Sequence, residues 1–94
     1  MTGVQTCALP ISDQFEVCYK FHKKGESWDT HYHKIGTEIN YLVRGKMKIQ
    51  NRELIQGDIF ILRPYEIADP EFLEDCEVLI VKTPSAPGDK YSIK

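Results

Sequence analysis

Nowhere does this chain space its apolar residues at the 3.6-residue interval of a helix; short runs alternate in period two and are cut by turn residues every few positions. FEVCYKF, from Phe15 to Phe21, sets Phe15, Val17, Tyr19 and Phe21 on one face and Glu16, Cys18 and Lys20 on the other. HKKGES reads as a turn around Gly25, and WDTHYH, from Trp28 to His33, puts Asp29, His31 and His33 on a common face. After KIGT the strand from Glu38 to Arg44 carries Glu38, Asn40 and Leu42 on one side and Ile39, Tyr41 and Val43 on the other, and Gly45 ends it. Strands follow at Lys46 to Gln50, Glu53 to Ile55 and Ile59 to Leu62, separated by turns at Asn51-Arg52 and Gly57-Asp58, with Pro64 closing the last. Ile67 and Ala68 make a brief strand before Asp69-Pro70, and the nearly continuous apolar run from Glu77 to Lys82 suits a central strand. Many short strands between close turn signals predict an all-β, antiparallel sandwich or barrel.

A length of 94 residues allows one such domain. The formal net charge of -2, with both signs interspersed, argues against nucleic acid as a partner, and the longest apolar runs fall far short of the roughly 20 residues of a membrane-spanning helix. The first eleven residues, MTGVQTCALPI, resemble the translation of a widely used sequencing-adapter oligonucleotide. Uncharged and broken by Gln5, Thr6 and Pro10, they do not read as a secretory signal either. Residues 1–11 are therefore set aside as artefactual, and the native protein is expected to begin upstream of Ser12, leaving the barrel N-terminally truncated. With Cys7 set aside, Cys18 and Cys76 stand in no metal-type spacing and are expected as small buried apolar side chains of a reducing, cytoplasmic protein. The domain is expected over residues 12–82. Residues 83–94, with Pro84, Pro87 and Gly88, read as a tail laid over the barrel or across a partner, unable to continue a ladder.

The chemistry concentrates at His31 and His33. A strand rises about 3.3 Å per residue and alternates its side chains, so the two imidazoles point the same way from Cα atoms roughly 6.6 Å apart and can reach one ion. Two imidazoles need a third, usually anionic, ligand. Glu38, opening the next strand after a short turn, would return its carboxylate beside the pair in an antiparallel hairpin. Two histidines and a carboxylate with open positions suit non-haem iron, manganese, nickel or zinc.

The stretch from Gly25 to Gly45, GESWDTHYHKIGTEINYLVRG, is similar to the first motif of the cupins: Gly, five residues, His-x-His, four residues, Glu, six residues, Gly. Gly57 to Pro64, GDIFILRP, looks like the opening of their second motif, yet the histidine that usually follows is missing. Counting from Gly57 places it at Ala68, and counting from Pro64 places it at Asp69. The resemblance, closest to short bacterial single-domain cupins, implies a jelly-roll β-barrel and metal ligands at His31, His33 and Glu38. Asp69 is then a possible fourth ligand, the alternative being a three-ligand or metal-free site.

Asn40 and Leu42 share the face of Glu38 and are expected in the pocket, with Tyr65; Trp28, Tyr32 and Tyr41 are further candidates for a cavity wall. His22, beside two lysines, reads as a surface residue, and Asp58 as a turn residue. A short barrel with a free sheet edge is expected to form a homodimer, with Ile39, Tyr41 and Val43 at the interface. The resemblance implies metal-dependent isomerase, epimerase, decarboxylase or dioxygenase chemistry on a small polar metabolite such as a sugar or carboxylate. The alternatives are a non-catalytic small-ligand module and a metal-free structural dimer. No second acid-base pair beside the ligands selects among the reactions.

Overall fold

The period-two runs are strands. The structure, a computed structural model, describes residues 4–7, 13–26, 28 and 30–93. In chain order the strands are β1 Val4–Cys7, β2 Glu16–His22, β3 His31–Tyr32, β4 Thr37–Arg44, β5 Lys46–Ile49, β6 Arg52–Ile55, β7 Ile59–Leu62, β8 Glu71–Phe72, β9 Cys76–Thr83 and β10 Tyr91–Ser92. They form a five-stranded sheet in the order β1, β2, β9, β4, β7, a three-stranded sheet β6, β5, β8, and a two-stranded ladder of β10 on β3, every pairing antiparallel. The apolar run in β9 lies between β2 and β4, as a strand covered on both sides should. Leu42, Met47, Ile49, Leu62, Ala68, Phe72, Cys76, Val78 and Ile80 form the core between the sheets, with Trp28, Leu54 and Phe60 packed on it.

Two local devices hold the sheets in place. β5 and β6 join through Gln50 and Asn51, both at positive φ (51° and 60°), the backbone that lets a two-residue hairpin follow the strand twist. Gly45 sits at φ 103°, where a side chain would be strained, and a Cβ there would run into the Asp75 carbonyl. This close approach lets β4 pass directly into β5 and so from one sheet to the other.

Several sequence expectations change. β3 does not form a hairpin with β4: it pairs with β10, and His31 bridges Ala68. The reason lies in the loop between them, whose amides at Lys34, Ile35 and Gly36 are taken by the Asp89 carboxylate at 2.9, 3.0 and 2.8 Å instead of by a neighbouring strand. The tail thus both ends in a short ladder and clamps that loop. Val4–Cys7, inside the stretch set aside above, pairs with β2, and Cys7, in register with Cys18, is disulfide-bonded to it. Cys18 is buried as expected but is not a free thiol. Cys76 is both buried and free, its thiol donating to the Lys46 carbonyl at 3.2 Å.

Candidate functional site

The register of the large sheet lays out its inner face in rows. Glu16, Lys82, Glu38 and Leu62 stand side by side across β2, β9, β4 and β7; the next row is Cys18, Ile80, Asn40 and Phe60; then come Lys20, Val78 and Leu42, and lastly His22 and Cys76. Members of all four rows, from Glu16 to His22, line one wall of a cavity of about 400 Å³, the size of a small-metabolite pocket. β3 and the tail form its other wall.

His31, His33 and Glu38 all line this cavity and are buried, at 8, 8 and 9% exposure. The backbone around the histidines is zipped to the segment after β7: His31 and Ala68 exchange two amide-carbonyl bonds of 3.0 and 2.8 Å, and the Tyr65 amide donates to the His33 carbonyl at 2.7 Å. Glu38 faces inward because β4 alternates. His33 Nε2 lies 3.3 Å from Glu38 Oε2, and the His31 and His33 rings stand edge to face with centroids 5.3 Å apart. Two atoms each bound about 2.1 Å from one ion stand roughly 3.0 to 3.4 Å apart, so the His33 and Glu38 donors already have ligand spacing. Among the described residues the donors gathered within 4.8 Å of one another are those of Cys7, Glu16 and Cys18, and that set includes the disulfide. His31 is outside that closeness, so its imidazole has to turn toward the pair to complete a three-donor set. In type the donors suit a divalent ion, and in placement His33 and Glu38 do while His31 stands apart.

The remaining predicted residues divide. Asn40 lines the cavity at 3% exposure, and its Nδ2 has no hydrogen-bond partner. Leu42 is completely buried in the core and is not part of the cavity wall, although Lys20 and Val78 of its row are. Asp69 is exposed, and its Oδ1 accepts the Gln50 amide at 2.8 Å; it holds the β5–β6 turn and does not reach the histidines. At the fourth-ligand position the cavity wall is instead Ala68, which has no donor side chain. Tyr65 is also exposed, stacked on Tyr32 with ring centroids 5.9 Å apart, on the far side of β3 from the ion donors. Trp28 lines the cavity, whereas Tyr32 and Tyr41 do not. Asp29 lies outside the described residues.

Three groups that sequence reasoning did not place also belong here. His22, expected at the surface, is buried: its ring stacks on Phe72 at 4.1 Å and its Nδ1 meets Glu26 Oε2 at 2.5 Å, an oxygen that also accepts from Trp28 Nε1. Burial holds the His22 pKa below its ordinary value, against the opposing pull of Glu26. The signal was present, since His22 is in phase with Glu16, Cys18 and Lys20. Lys20 is the second; burial, with Lys82 nearby, lowers its pKa. Asp89 is the third. Burial alone would raise its pKa, but the Gly36, Lys34 and Ile35 amides outweigh that and hold it below the usual carboxylate value.

No protein-family model and no curated protein matches the sequence. Solved structures do. An uncharacterized conserved protein with a double-stranded β-helix domain from Klebsiella pneumoniae matches with a TM-score of 0.83 at 18% identity, over 97% of this chain and 79% of its own. KdgF from Halomonas sp. matches with a TM-score of 0.78 at 19% identity, over 90% of this chain and 81% of its own. Salicylate 1,2-dioxygenase from Pseudoaminobacter salicylatoxidans, in complex with gentisate, matches with a TM-score of 0.73 at 9% identity, over 86% of this chain but only 25% of its own. Strand order and likeness together give this chain the fold of the cupins, an antiparallel all-β double-stranded β-helix.

Proposed function

We propose that this chain binds a divalent metal through His31, His33 and Glu38 and acts on a small polar metabolite, with isomerase, epimerase or dioxygenase-type chemistry. The observation that carries the reading is the burial of these three side chains in one cavity, with His33 and Glu38 in contact at 3.3 Å. A bound ion would supply Lewis acidity toward a substrate oxygen, or a place for dioxygen. Glu38 offsets the ion's charge, and Trp28 gives the substrate a flat apolar wall. The tail, clamped through Asp89, narrows the solvent's access to the cavity. The salicylate 1,2-dioxygenase bound to gentisate shows that this fold accommodates a small ligand, which is consistent with a pocket of this size.

A non-catalytic ligand-binding module is the second reading, favoured by Ala68 where a fourth donor would stand and by the separation of His31 from the other two donors. Metal analysis of the purified protein separates the two. One equivalent of iron, manganese, nickel or zinc that is lost in His31→Ala supports the metal reading. A protein that takes up no ion from a millimolar supply of any of these ends it.

The outer face of the large sheet carries the quaternary part of the reading, a homodimer. Tyr19, Leu79, Tyr41 and Ile59 stand in one register row at 37, 37, 39 and 63% exposure, beside a second row of Val17, Val81, Ile39 and Ile61. A contiguous apolar sheet face of this kind seeks cover. A second copy supplies the same self-complementary surface.

A further inference from the structure

The polar end of the cavity holds more than ion ligands, and two of its groups lack what they need. Asn40 presents a buried Nδ2 with two N–H donors and no acceptor, and an unmet buried donor is destabilising. Lys20 enters the same cavity as a half-buried ammonium. Its neighbour Lys82 has Glu16 at 3.9 Å, whereas Glu38 and Glu16 act on Lys20 only from beyond ion-pair distance; its ammonium also lies over the face of Trp28, 5.3 Å from the ring centroid. Lys90 adds a second ammonium over the same ring at 4.2 Å. The cavity therefore collects cations and an orphan donor, while its own carboxylates are engaged: Glu16 with Lys82, Glu38 with His33, and Asp89 with three amides.

We propose that the ligand of this cavity is a small carboxylate, its oxygens meeting the Lys20 ammonium and the Asn40 Nδ2 while its carbon chain lies against Trp28. The inference rests on the small-metabolite reading above and names its substrate class. Geometry limits the size. Lys20 and Asn40 lie on β2 and β4 with β9 between them and one row apart, which sets their Cα atoms roughly 12 Å from each other by strand spacing and rise. Both side chains leave the same face of the sheet, so one ligand that meets both is a small one lying across β9. A carboxylate there gives Lys20 the close ion pair it lacks and the unmet Asn40 donor an acceptor, both as charge-assisted hydrogen bonds. A neutral polyol could satisfy Asn40 but would give Lys20 no close counter-charge.

The test uses the full chain after dialysis to remove metal, titrated calorimetrically with malonate, succinate and glutarate and, as neutral isosteres, their diamides. At least one dicarboxylate is expected to bind saturably and its diamide at least tenfold more weakly. Lys20→Gln and Asn40→Asp are expected to weaken the acid tenfold or more, and Lys20→Arg to retain most of its affinity, each variant being checked by near-ultraviolet circular dichroism. His31→Ala is expected to lose metal uptake but keep acid binding, so failure of the metal reading and failure of this one give different results. Equal binding of acid and diamide, binding unaffected by Lys20→Gln in a folded protein, or no binding of any of the three acids overturns the proposal.

Discussion

The two faces of the large sheet differ most along β2 and at the start of β4, where polar side chains point in and apolar ones point out. An antiparallel sheet ordinarily turns its apolar side to the core and its polar side to water. Here the inner side chains of β2 are Glu16, Cys18, Lys20 and His22, while the outward neighbours Phe15 and Tyr19 are exposed. β4 does the same, with Glu38 and Asn40 inside and Ile39 and Tyr41 outside. Burying polar groups carries a desolvation cost that hydrogen bonds and ion pairs must offset, and exposing apolar ones costs solubility. Both costs make sense if the inner face is a binding site and the outer face an interface. The inner pairs His33 with Glu38 and His22 with Glu26 show how that offset is made.

The largest test of this contrast lies outside. Tyr41→Lys combined with Leu79→Lys puts charge into the centre of the outer face, and a two-fold interface meets each substitution twice. Dimer affinity measured by sedimentation equilibrium is expected to weaken about a thousandfold, because buried unpaired ammonium groups cost several kcal/mol. A wild-type protein that is monomeric at high micromolar concentration sinks the interface reading without touching the inner face. Next in size is the inner face itself. His31→Ala is expected to reduce metal affinity a hundredfold or more, since even partners of ligands are worth 10- to 100-fold. Asp69→Ala should leave metal affinity unchanged and only loosen the β5–β6 turn. Loss of the metal in Asp69→Ala would instead make Asp69 a ligand.

The contrast also explains what the sequence made legible. Period-two alternation located β2 and β4 almost to the residue, because each runs long enough to show both faces, and β9 was found as an apolar run. It missed β8 and β10, two residues each, whose pairing is fixed by partners distant in sequence. The spacing of Gly25, His31, His33, Glu38 and Gly45 pointed to residues that the fold does bring to one cavity, although by a route across it and not by a hairpin. Asp69 could not be told from Ala68 by counting, since the choice depends on which residue bridges His31. Asp89 was invisible for a different reason: its role is to satisfy amides 53 to 55 residues earlier, and nothing local announces that. His22 was misjudged because two following lysines suggested water, when its phase with Lys20 suggested the interior.

Two smaller effects probe how the inner face is closed. Asp89→Asn exchanges a carboxylate receiving three amide bonds for a group with one acceptor oxygen. A loss of about 2 kcal/mol is expected in urea unfolding, as for charge-assisted bonds to a buried group. Because the Asp89 pKa lies below the usual carboxylate value, its contribution is present above that value and disappears as pH falls through the lowered one. Unchanged stability at neutral pH would mean that the tail does not depend on this clamp.

The smallest expected effect belongs to His22. Its pKa is held below the ordinary 6.5 by burial, so the unfolded chain takes up a proton on acidification before the folded one does. Its contribution is therefore whole above pH 6.5 and declines below that as pH falls toward the lowered folded value. Glu26, also held below its usual 4.5, acts at lower pH, where protonation removes the partner of His22 and Trp28. The two windows are separate. Urea midpoints compared at pH 7.5, 6.5 and 5.5 are expected to fall in the wild type and to fall less in His22→Gln, which keeps a side-chain donor for Glu26 but cannot titrate. The difference between the two proteins isolates His22 from His31 and His33. Identical slopes would mean that the imidazole is not buried in its neutral form, and the polar inner face would then be open to water at the end where the cavity is drawn closed.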